Sequence, residues 1–334
     1  MSRLDLTLAC GVYDRTYALF DGSVRLEGVS LNMVPLHPGE LFRRQARFAE
    51  FDAAEFSLAT LGILHAQGDR RFVGIPVYPA RRFRHEHVWI SRRAGIESPV
   101  DLKGKRVGVQ EYIQTASVWI RGILSDDFGV TSQDVDWCVG GYNAPDPHYA
   151  HRIPLTLAQA KIRVTTIPST ESIDGMLRRG DLAAAFPGVP QSFRDGSEDV
   201  ARLFEDYWNV EADYFTRTGI FPIMHVVVVK RELYERHPWV AVSLYKAFEE
   251  ARRIAERRYD FSPGPLHASL PWVNHHLEET RKIMGHDYWS YGLRGNEHVI
   301  ETMMRYLVEQ GLVESPVADM TELFAPETHA GVEL

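Results

Sequence analysis

Hydrophobic and polar residues follow two different periods along most of the chain, and the two periods alternate. Short apolar or strictly alternating runs, which are typical of strands, are followed by stretches with the period of an amphipathic helix. The clearest strand-like runs are Leu4–Cys10, Phe51–Ser57, Arg106–Val109, Leu182–Phe186 and Ile220–Lys230. This alternation predicts an α/β protein in which the sheets are mostly parallel and flanked by helices.

The order of these elements predicts two lobes. The first lobe is expected to comprise residues 1–90 and 226–334, including a helical C-terminal part, and the second is an inserted α/β lobe at 91–225. Within the inserted lobe a helix is predicted at Ala116–Phe128, and Gly129 is placed to end it. In such an arrangement a ligand cleft between the lobes is expected, at strand carboxyl ends and helix N-termini.

Composition narrows the class of protein. The chain has 334 residues, 45% of them hydrophobic, and a formal net charge of -8, so it can bury large cores but has no extended basic face for nucleic acid. The N-terminus has no apolar stretch of signal-peptide length, and no run of uncharged apolar residues is long enough to span a membrane. Two distant cysteines fit reduced thiols. We therefore expect a cytoplasmic protein with a small-molecule ligand, and homo-oligomerisation stays open.

One basic segment stands out against the acidic background. Arg81, Arg82, Arg84, His85 and His87 lie within seven residues, between two strand-like segments. Arginine offers a planar donor fork for carboxylates, and histidine exchanges protons near neutral pH. The segment therefore predicts a site for a small polyanion, unless it is a solvated basic hairpin.

Several motifs resemble a known family. Asp101–Val109 and Ser169–Ala185 resemble segments of the type 2 periplasmic-binding-protein fold. Other segments resemble the 4,5-dihydroxyphthalate decarboxylase family, an enzymatic branch of that fold: Phe51–Ser57, Ile75–His85, Phe221–His225, Pro238–Trp239, Leu244–Glu249 and Asp287–Gly292. The resemblance covers nearly the whole chain.

The resemblance implies a carbon–carbon lyase of phthalate catabolism, which converts 4,5-dihydroxyphthalate to protocatechuate and CO2. Each carboxylate of that substrate lies para to a hydroxyl, so the ring supplies its own electrons and no cofactor is expected. Such chemistry needs a cationic clamp, an acid near the ring carbon, a base near the phenol and exclusion of water.

Three residues are candidates for the catalytic roles. His85 is expected to alternate with His87 on one strand face, so that both point into the cleft. His225 lies in an apolar strand, as a proton donor to the ring or as a core histidine bonded to backbone. Glu55 ends a buried-looking strand, where a carboxyl group needs an arginine partner or a raised pKa. It is a candidate phenol base or clamp organiser, against a plain salt bridge.

Binding residues are expected from three segments. Arg81 and Arg82 are candidate carboxylate clamps or surface cations, with His87 beside them. Tyr13 and Arg15 leave the first strand and are expected to face the cleft. The helix of the second lobe opens with three residues that suit an anion or serve simply as caps: Gln114, Thr115 and Ser117.

Two alternatives stay open at this point. A divalent metal held by His85 and His87, with His225 or Glu55, is the rival mechanism, although the spacing is no specific motif and we expect no metal. A non-catalytic solute-binding protein for an aromatic or other small carboxylate is the rival class of function. The lack of a leader peptide and the cluster of arginine and histidine residues both favour the enzyme.

Overall fold

A computed structural model of the chain describes residues 3–148, 161–259, 266, 268–315, 317 and 319–329. These residues form two compact units. Unit 1 combines Met1–Arg81, Phe215–Ile300 and Asp319–Leu334, and unit 2 combines Arg82–Tyr214 and Glu301–Ala318. No helix in the described ranges is long and apolar enough to cross a membrane.

Strands and helices alternate through the described residues. The strands are β1 Leu4–Cys10, β2 Val29–Pro35, β3 Ala53–Ser57, β4 Phe72–Ile75, β5 Trp89–Ser91, β6 Arg106–Val109, β7 Asp136–Val139, β8 Arg163–Thr166, β9 Ala184–Phe186, β10 Val200–Arg202 and β11 His225–Lys230. The helices are α1 Asp14–Phe20, α2 Pro38–Phe48, α3 Leu58–Ala66, α4 Thr115–Phe128, α5 Ile173–Arg179, α6 Gln191–Arg194, α7 Tyr207–Thr218, α8 Arg231–Arg236, α9 Trp239–Tyr259, α10 Val273–Met284 and α11 Glu297–Glu309.

Unit 1 is built on a five-stranded sheet in the order β2-β1-β3-β11-β4. Strand β1 pairs in parallel with β2 and β3, whereas β11 returns much later in the chain and pairs antiparallel with β3 and β4. All five residues of β3 and the four central valines of β11 are buried. The late strand β11 therefore lies inside the sheet, between β4 and the central, buried strand β3 that carries Glu55.

Unit 2 is built on a six-stranded sheet in the order β10-β5-β9-β6-β7-β8. The strands from β9 to β8 pair in parallel, and β5 and β10 add an antiparallel edge. Helix α4 follows β6 and ends at Gly129, whose φ of 64° is the left-handed conformation that glycine adopts without strain. The predicted end of this helix is confirmed.

The second unit also includes a C-terminal segment that the expected boundaries, 91–225, did not contain. Glu301–Ala318 belongs to it because Tyr306 packs its ring on Trp119 of α4, at 5.6 Å and nearly perpendicular. Gln310 accepts a hydrogen bond from the Arg121 guanidinium at 2.8 Å and donates one to the carbonyl of Val118. Hydrogen bonds between long polar side chains such as Arg121 and Gln310 leave no periodic pattern in the sequence. The sequence therefore does not indicate that Glu301–Ala318 packs on α4.

Gly122 tests this packing. A Cβ at position 122 would lie only 2.1 Å from a ring atom of Tyr306. We expect Gly122→Ala to lower the free energy of unfolding by about 1–3 kcal/mol through overpacking, despite the better helix propensity of alanine. In a Tyr306→Leu background the same substitution should be neutral or stabilising. Urea denaturation of the four proteins measures the difference, and an equal cost in both backgrounds would contradict the packing.

Candidate active site

A buried carboxylate lies at the centre of the unit 1 sheet. Glu55 on β3 has no exposed surface, and its oxygens accept hydrogen bonds from three groups that follow β1 or end it. The backbone N–H of Gly11 donates at 2.8 Å, the hydroxyl of Tyr13 at 3.0 Å, and the thiol of Cys10 lies at 3.4 Å. The parallel pairing of β1 with β3 brings these donors to the carboxylate.

His225 is the fourth partner of Glu55. Val227 lies directly opposite Glu55 in the antiparallel pair, so His225, two residues before it, shares the same face as a diagonal neighbour. The Nδ1 atom of His225 lies 2.5 Å from Oε1 of Glu55. The Phe42 ring packs nearly perpendicular to the imidazole, with the ring centroids 4.7 Å apart.

The other ring nitrogen of His225 is available to a ligand. No hydrogen bond to Nε2 is made within the described ranges, and the side chain keeps 18% of its surface exposed. A carboxylate accepts the hydrogen bond of a protonated Nδ1, so Nε2 is the nitrogen left for a ligand. The imidazole is therefore fixed in one tautomer and presents one reactive atom.

The surroundings keep the Glu55 carboxyl ionised. Burial by itself raises its pKa, but the charge and hydrogen bond of His225 and the donors Gly11 and Tyr13 outweigh burial, and the net pKa lies below the usual value. Burial and the neighbouring carboxylate raise the pKa of Tyr13 and Cys10, so both remain protonated donors. Our expectation of an arginine partner or a raised pKa for Glu55 is wrong, because a histidine and three neutral donors take the place of the arginine.

Arg15 places a cation beside this pair. Its guanidinium lies 4.5 Å from the ring centroid of Tyr13 and 4.2 Å from that of Trp289. Its Nε donates to the carbonyl of Pro79 at 2.6 Å, and Nη1 donates to Asp14 at 3.0 Å. Nη2 has no hydrogen-bond partner in the part of the chain that is described. The guanidinium is thus held in place with one amino group left for a ligand.

The chain has close relatives among characterised proteins, although no protein-family model matches it. It is 37% identical over 327 residues to the 4,5-dihydroxyphthalate decarboxylase of Comamonas testosteroni, and the match covers 98% of each chain. It is 38% identical over 216 residues to the 4,5-dihydroxyphthalate decarboxylase of Pseudomonas putida, covering 64% of this chain and 83% of the other.

The chain belongs to the 4,5-dihydroxyphthalate decarboxylase family. The family predicted from the sequence is therefore confirmed. The periplasmic aliphatic sulphonate binding protein SsuA from Escherichia coli has the same fold, with a TM-score of 0.54 over 100% of this chain and 96% of the other, at 14% identity. This likeness confirms the predicted type 2 periplasmic-binding-protein-like fold class.

Arg81 was predicted to bind the substrate carboxylate in this member of the decarboxylase family. In the structure its side chain makes contacts within unit 1. Its side chain is buried, and Nη2 donates to the carbonyl of Ser290 at 2.9 Å and to the side-chain oxygen of Asn296. Burial lowers its pKa to about 10. These contacts tie the segment after β4 to the segment before α11.

The remaining basic residues lie in unit 2, in a different conformation from the one expected. His85–His87 is a turn of 3₁₀-helix, and β5 begins only at Trp89, so the prediction that His85 and His87 share a strand face is wrong. The physical reason is a partly buried carboxyl group: Glu211 accepts a hydrogen bond from the backbone N–H of Glu86 at 3.0 Å and stabilises the turn.

Both histidines are nearly inaccessible in this turn. His85 packs between the rings of Phe204 and Tyr214 at 5.3 and 5.2 Å, and burial lowers the pKa of His87 to about 3, so it is neutral at pH 7. Arg82 is largely exposed and pairs with Glu86 at 3.1 Å.

The residues of the expected anion site at the start of α4 are mostly buried, and two of them have oxygen atoms that are unpaired within the described part of the chain. Gln114 is the N-cap residue, but its side chain makes no capping hydrogen bond, and Thr115 and Ser117 are buried. The buried Oε1 of Gln114 and Oγ of Ser117 have no hydrogen-bond partner among the described residues. Gln114 and Ser117 therefore do not use these oxygen atoms to cap the helix.

Among the described residues no group of three or more histidine, cysteine, aspartate or glutamate side chains is placed to hold a metal ion. Five contributors to the unit 1 site were not among the residues expected from the sequence, which are Cys10, Gly11, Phe42, Pro79 and Trp289. The glycine between β1 and Tyr13 is the one sequence signal that could have indicated a close approach of the chain to a carboxylate.

The pair of Glu55 and His225 predicts a specific pH dependence of stability. The pKa of Glu55 is lowered in the folded state, so its stabilising contribution is complete above the ordinary value of 4.5 and is lost as pH falls through the lowered value. We expect Glu55→Gln to lower the free energy of unfolding by about 2–4 kcal/mol at pH 7. Denaturant titrations from pH 7 to 3 should show the two proteins converging in acid, and a difference that does not shrink would contradict the ionised state.

Proposed function

We propose that this chain is a cofactor-independent decarboxylase that converts 4,5-dihydroxyphthalate to 3,4-dihydroxybenzoate and CO2. Two findings support the proposal: the full-length similarity to decarboxylases of that name, and the His225–Glu55 pair with an accessible imidazole nitrogen beside a guanidinium. The His225–Glu55 pair is the observation that carries the proposal, since the main requirement for decarboxylation of this ring is a proton donor to the ring carbon.

The chemistry begins with the electrons of the ring. The hydroxyl para to one carboxylate gives its proton to a solvent water as His225 Nε2 delivers a proton to the carbon that bears the carboxylate. The ring becomes a quinoid ketone. The carbon–carbon bond then breaks, its electron pair returns to the ring, CO2 leaves and the para oxygen regains a proton. One proton is taken up in total, and the solvent returns it to His225.

The proposed role of Glu55 follows from its burial. A carboxylate without exposed surface cannot reach a phenol of the substrate directly, so we assign it the orientation of His225 and the stabilisation of the imidazolium. The burial of Glu55 therefore replaces the phenol-base role with a positioning role.

Arg15 is the proposed clamp for the carboxylate that the product retains. Its guanidinium is oriented by Asp14 and the carbonyl of Pro79, and Nη2 is left for a charge-assisted hydrogen bond. Arg81 is a weaker candidate because its side chain is buried and its Nη2 is already bonded to Ser290 and Asn296 within the fold. In unit 2 we retain Gln114, Thr115 and Ser117 as a proposed anion-binding group, supported by the buried hydroxyl of Ser117, which is unpaired among the described residues and can donate a hydrogen bond to an anion.

The first test is turnover in deuterated buffer after exhaustive chelation. We expect 4,5-dihydroxyphthalate to yield CO2 and a dihydroxybenzoate that carries one deuterium at the carbon vacated by the carboxylate, detected by proton NMR. Chelation should leave the rate unchanged, because the para hydroxyl supplies the electrons. Binding without any turnover would favour a solute-binding protein instead, and a rate restored only by a divalent ion would contradict the cofactor-independent mechanism.

The proton donor is tested by His225→Gln. We expect kcat to fall by roughly 100- to 10,000-fold, since general acid catalysis at the ring carbon is lost. Substrate affinity measured by calorimetry should change little. His286→Gln, which replaces an exposed histidine of unit 1, is the matched control and should retain normal kcat. A near-normal kcat in His225→Gln would exclude this residue as the acid.

The clamp is tested by Arg15→Met. A charge-assisted contact present in the ground and transition states alike is worth about 1.5–3 kcal/mol, so KM should rise by about 10- to 100-fold with a smaller change in kcat. Arg25→Met removes an exposed arginine of unit 1 and serves as the control. If KM is unchanged in Arg15→Met, the substrate carboxylate is bound elsewhere.

A further inference from the structure

Tyr13 touches both halves of the unit 1 site. Its hydroxyl donates to the carboxylate of Glu55, at 3.0 Å from Oε1 and 3.3 Å from Oε2. The ring of the same side chain lies against the guanidinium of Arg15, 4.5 Å from its central carbon. One side chain therefore contacts the partner of the proton donor and the proposed clamp at the same time.

The backbone before Tyr13 is built to place this ring. A Cβ at position 11 would lie 2.4 Å from both Cζ and the hydroxyl oxygen of Tyr13, so the phenol occupies the space that only a glycine leaves free. Thr16 fixes the turn, because its hydroxyl donates to the carbonyl of Gly11 at 2.9 Å and accepts from the N–H of Tyr13 at 2.8 Å. The phenol is thus folded back over Gly11 towards β3.

The environment of the phenol fixes its chemical state. Burial and the adjacent Glu55 carboxylate raise the pKa of Tyr13, so the hydroxyl remains a protonated donor at neutral pH. A phenol that does not ionise is suited to hold a carboxylate and is unsuited to serve as the phenolate base of the reaction. The binding role expected for Tyr13 from its position after the first strand therefore becomes an indirect one.

We propose that Tyr13 is a positioning residue that couples the proton donor to the carboxylate clamp. This inference rests on the proposed function, since it takes His225 as the donor and Arg15 as the clamp. The hydroxyl orients Glu55 and through it the imidazole, while the ring face orients the guanidinium. The spacing between the acid and the clamp is thereby set by a single rigid side chain.

The two contacts can be separated by substitution. Tyr13→Phe keeps the ring and removes the hydroxyl, so kcat should fall by about 10- to 100-fold while KM stays within about twofold of the wild-type value. Tyr13→Leu also removes the ring, so KM should rise in addition by about 5- to 20-fold. Gly11→Ala displaces the ring without altering it and should reproduce the double defect of Tyr13→Leu. Tyr17→Phe, on an exposed position of α1, is the matched control.

The outcomes separate this inference from the proposed function. If wild-type protein does not decarboxylate 4,5-dihydroxyphthalate, the proposed function fails and the inference with it. If wild-type protein turns over and Tyr13→Phe shows the kcat defect alone while Tyr13→Leu shows both defects, the coupling is supported. Two results overturn the inference when wild-type protein decarboxylates the substrate. In the first, either Tyr13 variant has the same kcat and KM as Tyr17→Phe. In the second, Tyr13→Phe and Tyr13→Leu show an equal rise in KM. Thermal unfolding of Tyr13→Phe shows whether the variant is folded. A KM within about twofold of the wild-type value would also show that its substrate site is intact.

Discussion

The burial of an ionised carboxylate at Glu55 is the constraint on which the site in unit 1 depends. A charge without solvent contact is costly unless every lone pair is matched by a donor. Here the donors are a backbone N–H, a phenol, a thiol and an imidazole, from Gly11, Tyr13, Cys10 and His225. Each of these hydrogen bonds fixes the position of its donor relative to the carboxylate. The bond from Nδ1 fixes the orientation of the imidazole in the same way.

The topology of the sheet makes this convergence possible. Residues 45 and 170 positions apart from Glu55 in the chain become neighbours because β1 and β11 flank β3 on its two sides. The parallel neighbour delivers a loop and the first turn of a helix, and the antiparallel neighbour delivers a side chain on the shared face. An acid, its orienting carboxylate and a cation are thus placed on rigid elements of one unit, which is what a proton transfer to carbon demands.

The sequence predicted the alternation of strands and helices and the family. It also indicated that Glu55 and His225 need polar partners, because each lies inside an apolar strand. It could not predict that these two residues would partner each other, since the pairing of β3 with β11 joins segments far apart in the chain. The role of the arginines was equally inaccessible. The sequence around Arg81 and Arg15 does not distinguish their roles. Contacts with the distant segment 289–296 do so, because Arg81 is hydrogen-bonded to Ser290 and Asn296 whereas Arg15 stacks on Trp289. His85 and His87 follow a strand-like pattern, and the distant carboxylate of Glu211 is what makes them a 3₁₀ turn.

The tautomer of His225 tests the central claim most directly. In ¹⁵N NMR of histidine-labelled protein, the resonances of His225 can be assigned by their loss in the His225→Gln protein. If the ionised carboxylate of Glu55 holds the imidazole, Nδ1 stays protonated across the titration and Nε2 is the nitrogen whose shift changes as the ring gains and loses its proton. A neutral form protonated at Nε2, with an unprotonated Nδ1 facing Glu55, would contradict the account.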